Sequence, residues 1–166
     1  VLAAGVEELV KDLRQFAQYY CAMSLGKEKD PELKRAFQEL KDFKVDVAYP
    51  FLLELYGDFK SGELTKSEFV EIVRLVEAYA FRRAVVQIPT NSMNKTFARF
   101  SLSINRENSL DSVTAIFASL TSYRRFPSDE EFLHNLKLRD LYNFRRGAYW
   151  LRKLENFNRK ELPVLE

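Results

Sequence analysis

The most specific polar constellation in the chain is Tyr79-Ala80-Phe81-Arg82-Arg83, followed by Pro89-Thr90-Asn91 and by Asn94-Lys95-x-Phe97. Successive residues on a helix are about 100° apart, so Arg82 and Arg83 point to different sides and at least one must face the fold. A buried guanidinium presents five N–H donors and needs a carboxylate or several carbonyls around it. Thr90 and Asn91 supply turn-forming hydrogen bonds. Two roles fit this set: a polar clamp that fixes a helix–turn–helix corner, and contact with phosphate. A second place of interest is Tyr142-Asn143-Phe144-Arg145-Arg146-Gly147-Ala148-Tyr149-Trp150. Aromatics interleaved with arginine stack bases in some proteins and build cores in more. The candidate DNA-contact or clamp residues are therefore Arg82, Arg83, Asn91, Asn94, Lys95, Arg145 and Arg146.

Catalytic chemistry has few carriers. The only cysteine, Cys21, excludes an internal disulfide framework and a zinc-ribbon site, and the only histidine, His134, excludes a multi-histidine metal site. As a nucleophile, Cys21 would need a base and an electropositive setting. Its place near the end of an amphipathic helix fits a small core residue better. The carboxylate groups Glu7/Glu8, Glu68/Glu71 and Asp129/Glu130/Glu131 fall in first turns of helices, where negative charge favours the helix dipole. No glycine-rich phosphate loop, His-Glu-x-x-His or calcium loop is present. No catalytic, cofactor-binding or metal-binding residue is assigned.

The charge is uneven. The formal net charge is +2, but residues 1–80 carry 11 Lys and Arg against 15 Asp and Glu, and residues 81–166 carry 15 against 9. Eleven of the 14 arginines lie in that second part, six of them in the tandem pairs Arg82-Arg83, Arg124-Arg125 and Arg145-Arg146. Guanidinium forks match phosphate and carboxylate geometry alike. The asymmetry therefore fits either a nucleic-acid surface or internal pairing of an acidic part with a basic one.

The elements that must position these groups are helices. With 166 residues, 46% of them apolar and only 5 Gly and 5 Pro, the chain has the size and composition of one globular domain. Val6, Leu9, Val10, Leu13, Phe16, Ala17 and Tyr20 predict an amphipathic helix over 5–24. Asp30-Pro31 is an N-cap with proline at the first helical position, opening a helix to Phe43. A third helix runs from Tyr49-Pro50 to near Gly62. Thr65-Lys66-Ser67-Glu68 is a capping box for a fourth, which ends before Pro89 at the β-branched run Ala84-Val85-Val86-Gln87-Ile88. Met93 to Ile104 and Asn108-Ser109 to Leu120 follow. Ser128-Asp129-Glu130-Glu131 reads as a second capping box, and Leu141, Phe144, Ala148, Leu151 and Leu154 mark a last helix. The expected fold is all-α, a single helical domain of seven or eight helices. No apolar run is long enough to cross a membrane and no signal peptide is visible, so the cytoplasm is the expected location. The start at Val1 without methionine and the polar-apolar tail to Glu166 read as a piece of something longer.

Five segments, in this order, resemble the helical region of GmrSD-type modification-dependent restriction endonucleases. They are Tyr49-Pro50-Phe51-Leu52-Leu53-x-Leu55-Tyr56, Glu77-Ala78-Tyr79-Ala80-Phe81-Arg82-Arg83, and Pro89-Thr90-Asn91-x-x-Asn94-Lys95-x-Phe97. Phe126-Pro127-Ser128-Asp129-Glu130-Glu131-Phe132 and Tyr149-Trp150-Leu151-Arg152-Lys153-Leu154-Glu155 complete the set. In that family the region lies between a ParB-like nucleotide-hydrolysing domain and an HNH nuclease domain. The resemblance implies a prokaryotic defence protein that cleaves foreign DNA carrying modified bases. It implies a helical connector over 1–157 and a tail over 158–166 leading toward a nuclease domain. The implied partners are the flanking domains of the parent chain, with DNA as a further candidate. A nucleoside triphosphate and a divalent metal are candidate cofactors of the parent protein and not of this fragment. The Asp-Gly-Gln-Gln-Arg type hydrolysis motif and the nuclease histidine motif are absent from the sequence, so no catalytic residue transfers. The alternative from a different class is a stand-alone helical adaptor that binds a protein partner. An enzyme using Cys21 or His134 is a third reading.

Overall fold

Local signals set the helix ends. In the computed structural model, which describes residues 2–140, 142–144 and 146–158, Asp30 accepts hydrogen bonds from the backbone N–H groups of Glu32 (3.0 Å) and Leu33 (3.1 Å). This starts α2 (Pro31–Phe43), after α1 (Leu2–Ser24). A left-handed Lys44 stops α2, and a left-handed Gly62, φ 88°, stops α3 (Tyr49–Ser61). Thr65 and Glu68 form the reciprocal capping box that opens α4 (Lys66–Val85). Gln87, at φ 62°, ends it, with the Ile88 N–H donating to the Arg83 carbonyl (2.9 Å). Then come α5 (Met93–Ser103), α6 (Ser109–Ser119), α7 (Asp129–Leu138) and α8 (Gly147–Asn158). The described residues thus hold eight α-helices, four short 3₁₀ turns and no strand, and none of their helices is long and apolar enough to cross a membrane.

Packing centres on α4. Phe69, Ile72, Val73, Val76, Tyr79 and Val85 are buried on several sides of it, as expected for a helix apolar nearly all round. It packs against α2, α3, α6 and α7. The aromatics form one continuous core: Phe37, Tyr56, Phe59 and Phe69 at one end, and Phe51, Phe97, Phe100, Tyr79 and Phe117 toward the other. Offset and edge-on ring pairs of this kind add to the area they bury.

Two expectations are corrected. Ser128 caps α7 by accepting from the Glu131 N–H (3.2 Å), but the Glu131 carboxylate does not return to Ser128; it pairs with Arg125 instead. A forked, charged donor outcompetes a lone backbone N–H for that carboxylate. Phe144 lies before α8 and not within it, while Leu141 falls outside the described residues. The amphipathic helix expected over 5–24 forms as α1, but among the described residues its apolar stripe is largely uncovered: Leu9 is 58% and Leu13 62% exposed, and only the last turn and a half, around Met23, docks on α2 and α3.

The last described helix, α8, is held by a polar cluster around buried Glu77. The Tyr149 hydroxyl of α8 donates to Glu77 of α4, and Lys153 bridges Glu77 (3.0 Å) and Glu39 (2.6 Å). Burial pushes the Glu77 carboxyl above the ordinary 4.5, and the nearby Lys153 charge does not offset it. The native state therefore holds the Glu77 proton more tightly than the unfolded chain does. This contribution is full below pH 4.5 and is lost as the pH rises through the raised folded value. Urea midpoints taken from pH 4.5 upward should show the wild-type chain losing stability relative to Glu77→Gln. Parallel pH profiles for the two proteins would contradict this assignment.

Candidate functional site: a basic and aromatic surface

Two loops meet at the C-terminal end of α4: the α4–α5 corner (86–92) and the α6–α7 connection (120–128). Arg83 pins both. Its side chain is fully buried, with Nη1 donating to the Tyr123 carbonyl (2.8 Å) and Nη2 to the Pro89 carbonyl (2.7 Å) and Ser92 Oγ (2.8 Å). Among the described residues no carboxylate pairs with it; two carbonyls and a hydroxyl accept from it, and the Tyr79 ring lies 5.0 Å from its Cζ. Burial lowers the Arg83 pKa, but an arginine remains charged at neutral pH. One turn earlier, the Tyr79 hydroxyl donates to the Arg124 carbonyl (2.8 Å). Residues 123 and 124 are thus held by their carbonyls, which leaves their side chains on the outside.

On that outer surface Tyr123 lies within electrostatic range of three cations, Arg124, Lys95 and Arg99. Lys95 and Arg99 are one helical turn apart on exposed positions of α5, and Tyr123 and Arg124 come from the clamped loop. Arg124 donates to the Tyr123 hydroxyl (3.3 Å) and stacks against its ring at 5.4 Å. The Tyr123 pKa is lowered, first by the hydrogen bond and charge of Arg124 and then by the charges of Lys95 and Arg99. None of these three cations makes an ion pair among the described residues. Three positive side chains around an exposed aromatic face can take a phosphate together with a base or sugar.

Much of the remaining basic charge is used internally. Arg82 pairs with Asp129 (2.5 Å), donates to the Pro127 carbonyl (3.1 Å) and lies over the Phe126 and Phe132 rings, tying α4 to α7. Arg106 joins Glu54 and Asp58, Arg152 joins Asp42, and Lys153 joins Glu39 and Glu77, so basic groups of the second part neutralise acidic groups of the first. Arg146 sits 4.3 Å from the Phe43 ring. Asn91, Asn94 and Lys95 are exposed, and Lys95 belongs to the basic surface. Arg145 lies outside the described residues. Of the aromatic stretch around it, Phe144 and Tyr149 are buried, Trp150 stacks on Phe81 at 5.0 Å, and Tyr142 is 97% exposed. The shallow cavity there, about 210 Å³, is lined by Glu77, Ala78, Phe81, Tyr149, Trp150 and Lys153.

Sequence reasoning missed Arg99, Tyr123 and Arg124 as members of a site. The i, i+4 spacing of Lys95 and Arg99 was a usable signal, because it places both on one helix face. Nothing local brings residue 123 beside residue 95. Cys21 is half-buried at the end of α1 and His134 is exposed on α7; neither side chain makes a hydrogen bond among the described residues.

These features define an all-α domain with a clamped basic and aromatic surface. Compared with known proteins, the chain matches no family model, no curated protein and no solved structure.

Proposed function

We propose that this chain is a non-catalytic helical domain of a GmrSD-type restriction endonuclease acting on modified foreign DNA. It couples the nucleotide-hydrolysing and nuclease domains, and it lines the DNA path with Lys95, Arg99, Tyr123 and Arg124. In this reading the nucleoside triphosphate and the divalent metal bind to the flanking domains. The ordered segments of the sequence resemblance support the family. The observation that carries the DNA contact is exposed Tyr123 within electrostatic range of three cations that make no ion pair among the described residues, while Arg82, Arg106 and Arg125 are all engaged by carboxylates.

The test is a salt titration of binding to a labelled duplex, followed by fluorescence anisotropy. Three phosphate contacts give a log–log slope of about −3, at roughly 0.9 per neutralised phosphate. The triple variant Lys95→Ala/Arg99→Ala/Arg124→Ala should bring that slope near zero. It should also leave the fold intact, because the Arg124 carbonyl that Tyr79 holds is retained. A flat slope for the wild-type chain would remove the DNA role and leave the helical adaptor as the better reading.

A further inference from the structure

Among the described residues, the first half of α1 has no neighbour. Residues 5–18 are exposed all round, yet they carry an apolar stripe of Val6, Leu9, Val10, Leu13 and Phe16 that continues to Tyr20. An isolated helix of this length is marginal in water, because a short run of hydrogen bonds does not repay nucleation. A projecting helix of this kind needs a surface to lie on.

The pattern of the stripe indicates which surface. Val6, Leu13 and Tyr20 fall at one heptad position, and Leu9, Phe16 and Met23 at the other, giving a 3.5-residue repeat along the helix. Val10 and Ala17, each next to the second position, widen the stripe to the face by which the helices of a bundle pack on one another. At roughly 100 Å² for each half-exposed large side chain, the stripe presents on the order of 600 Å², at the top of what a monomer usually leaves open. Two such faces together bury about 1,200 Å², the lower bound for a stable interface.

We propose that α1 pairs with α1 of a second copy, antiparallel about a two-fold axis near Lys11. This register sets Val6 against Phe16 of the second copy and Leu9 against its Leu13. It uses the whole free length of each helix. It also keeps the two helical bodies at opposite ends, because each body docks only on the last turns of its own α1. Antiparallel alignment further opposes the two helix dipoles favourably. The pairing is isologous and closes at two copies.

Sedimentation equilibrium of the chain, over about 1 to 100 μM to bracket the affinity of a small interface, tests this directly. The expected mass is twice the 19.5 kDa of one chain at the upper end. Leu9→Lys/Leu13→Lys should return the mass to one chain without changing the urea midpoint of the body, because both positions are solvent-facing in the single chain. Lys11→Glu/Gln18→Glu, on the opposite face of α1, should remain dimeric. A single-chain mass for the wild type throughout overturns the proposal. So does a dimer that survives the lysines, or one that the opposite-face variant also breaks.

Discussion

Arg83→Met is expected to lower the stability of the domain by about 3 kcal/mol or more, and to shift its melting temperature down by roughly 6–12 °C for a chain of this size. Methionine fills much of the space but donates nothing. The Tyr123 and Pro89 carbonyls and Ser92 Oγ would stay buried near it without their partner, and each such group costs about 1–3 kcal/mol. Replacing a buried ion pair by apolar residues is often harmless, but only when both sides are replaced. Here the acceptors include backbone and cannot be removed. Arg83→Lys should also destabilise, because one ammonium cannot span three acceptors on two loops. Urea unfolding gives the measurement, and a methionine variant within about 1 kcal/mol of wild type would show that Arg83 is not the pin of the two loops. The variant should also weaken DNA binding, since the clamped loop presents Tyr123 and Arg124.

Phe81→Ala should be nearly as costly, about 3–5 kcal/mol by cavity formation. Phe81 joins three helices to α4: its ring lies 5.8 Å from Phe43 of α2, 5.8 Å from Phe132 of α7, and 5.0 Å from the stacked Trp150 of α8. Removing the ring leaves Trp150 without its stacking partner, so tryptophan fluorescence should report α8 loosening along with the global loss. A loss below about 1.5 kcal/mol, the range of a tolerated core change, would mean that α7 and α8 dock independently of this ring.

The helix frame was legible in the sequence because its signals are short-range. Asp30-Pro31, Thr65 with Glu68, Gly62 and the break before Pro89 act within four residues of the end they define, and each does so in the fold. The clamp was legible in part: two adjacent arginines on a largely apolar helix cannot both reach solvent freely. Which of them is buried, and in what company, could not be read, because the partners at Tyr123 lie 40 residues away. The same limit applies to Glu131, whose sequence position fits a cap but whose carboxylate goes to Arg125.

An all-α domain, the order of its helices and the concentration of arginine in its second part all follow from short-range patterns in the amino-acid chain. How those arginines divide depends on the packed fold. Arg82, Arg106 and Arg125 meet carboxylates, and Arg83 meets carbonyls, while Arg99 and Arg124 join Lys95 around Tyr123 on the surface. The packing also leaves the apolar stripe of α1 uncovered by the described residues over 5–18. The physical reason is one of range. Caps, turns and helical periodicity are settled by neighbours along the chain, whereas burial and charge pairing depend on groups brought together from distant positions, and only the packed fold specifies those.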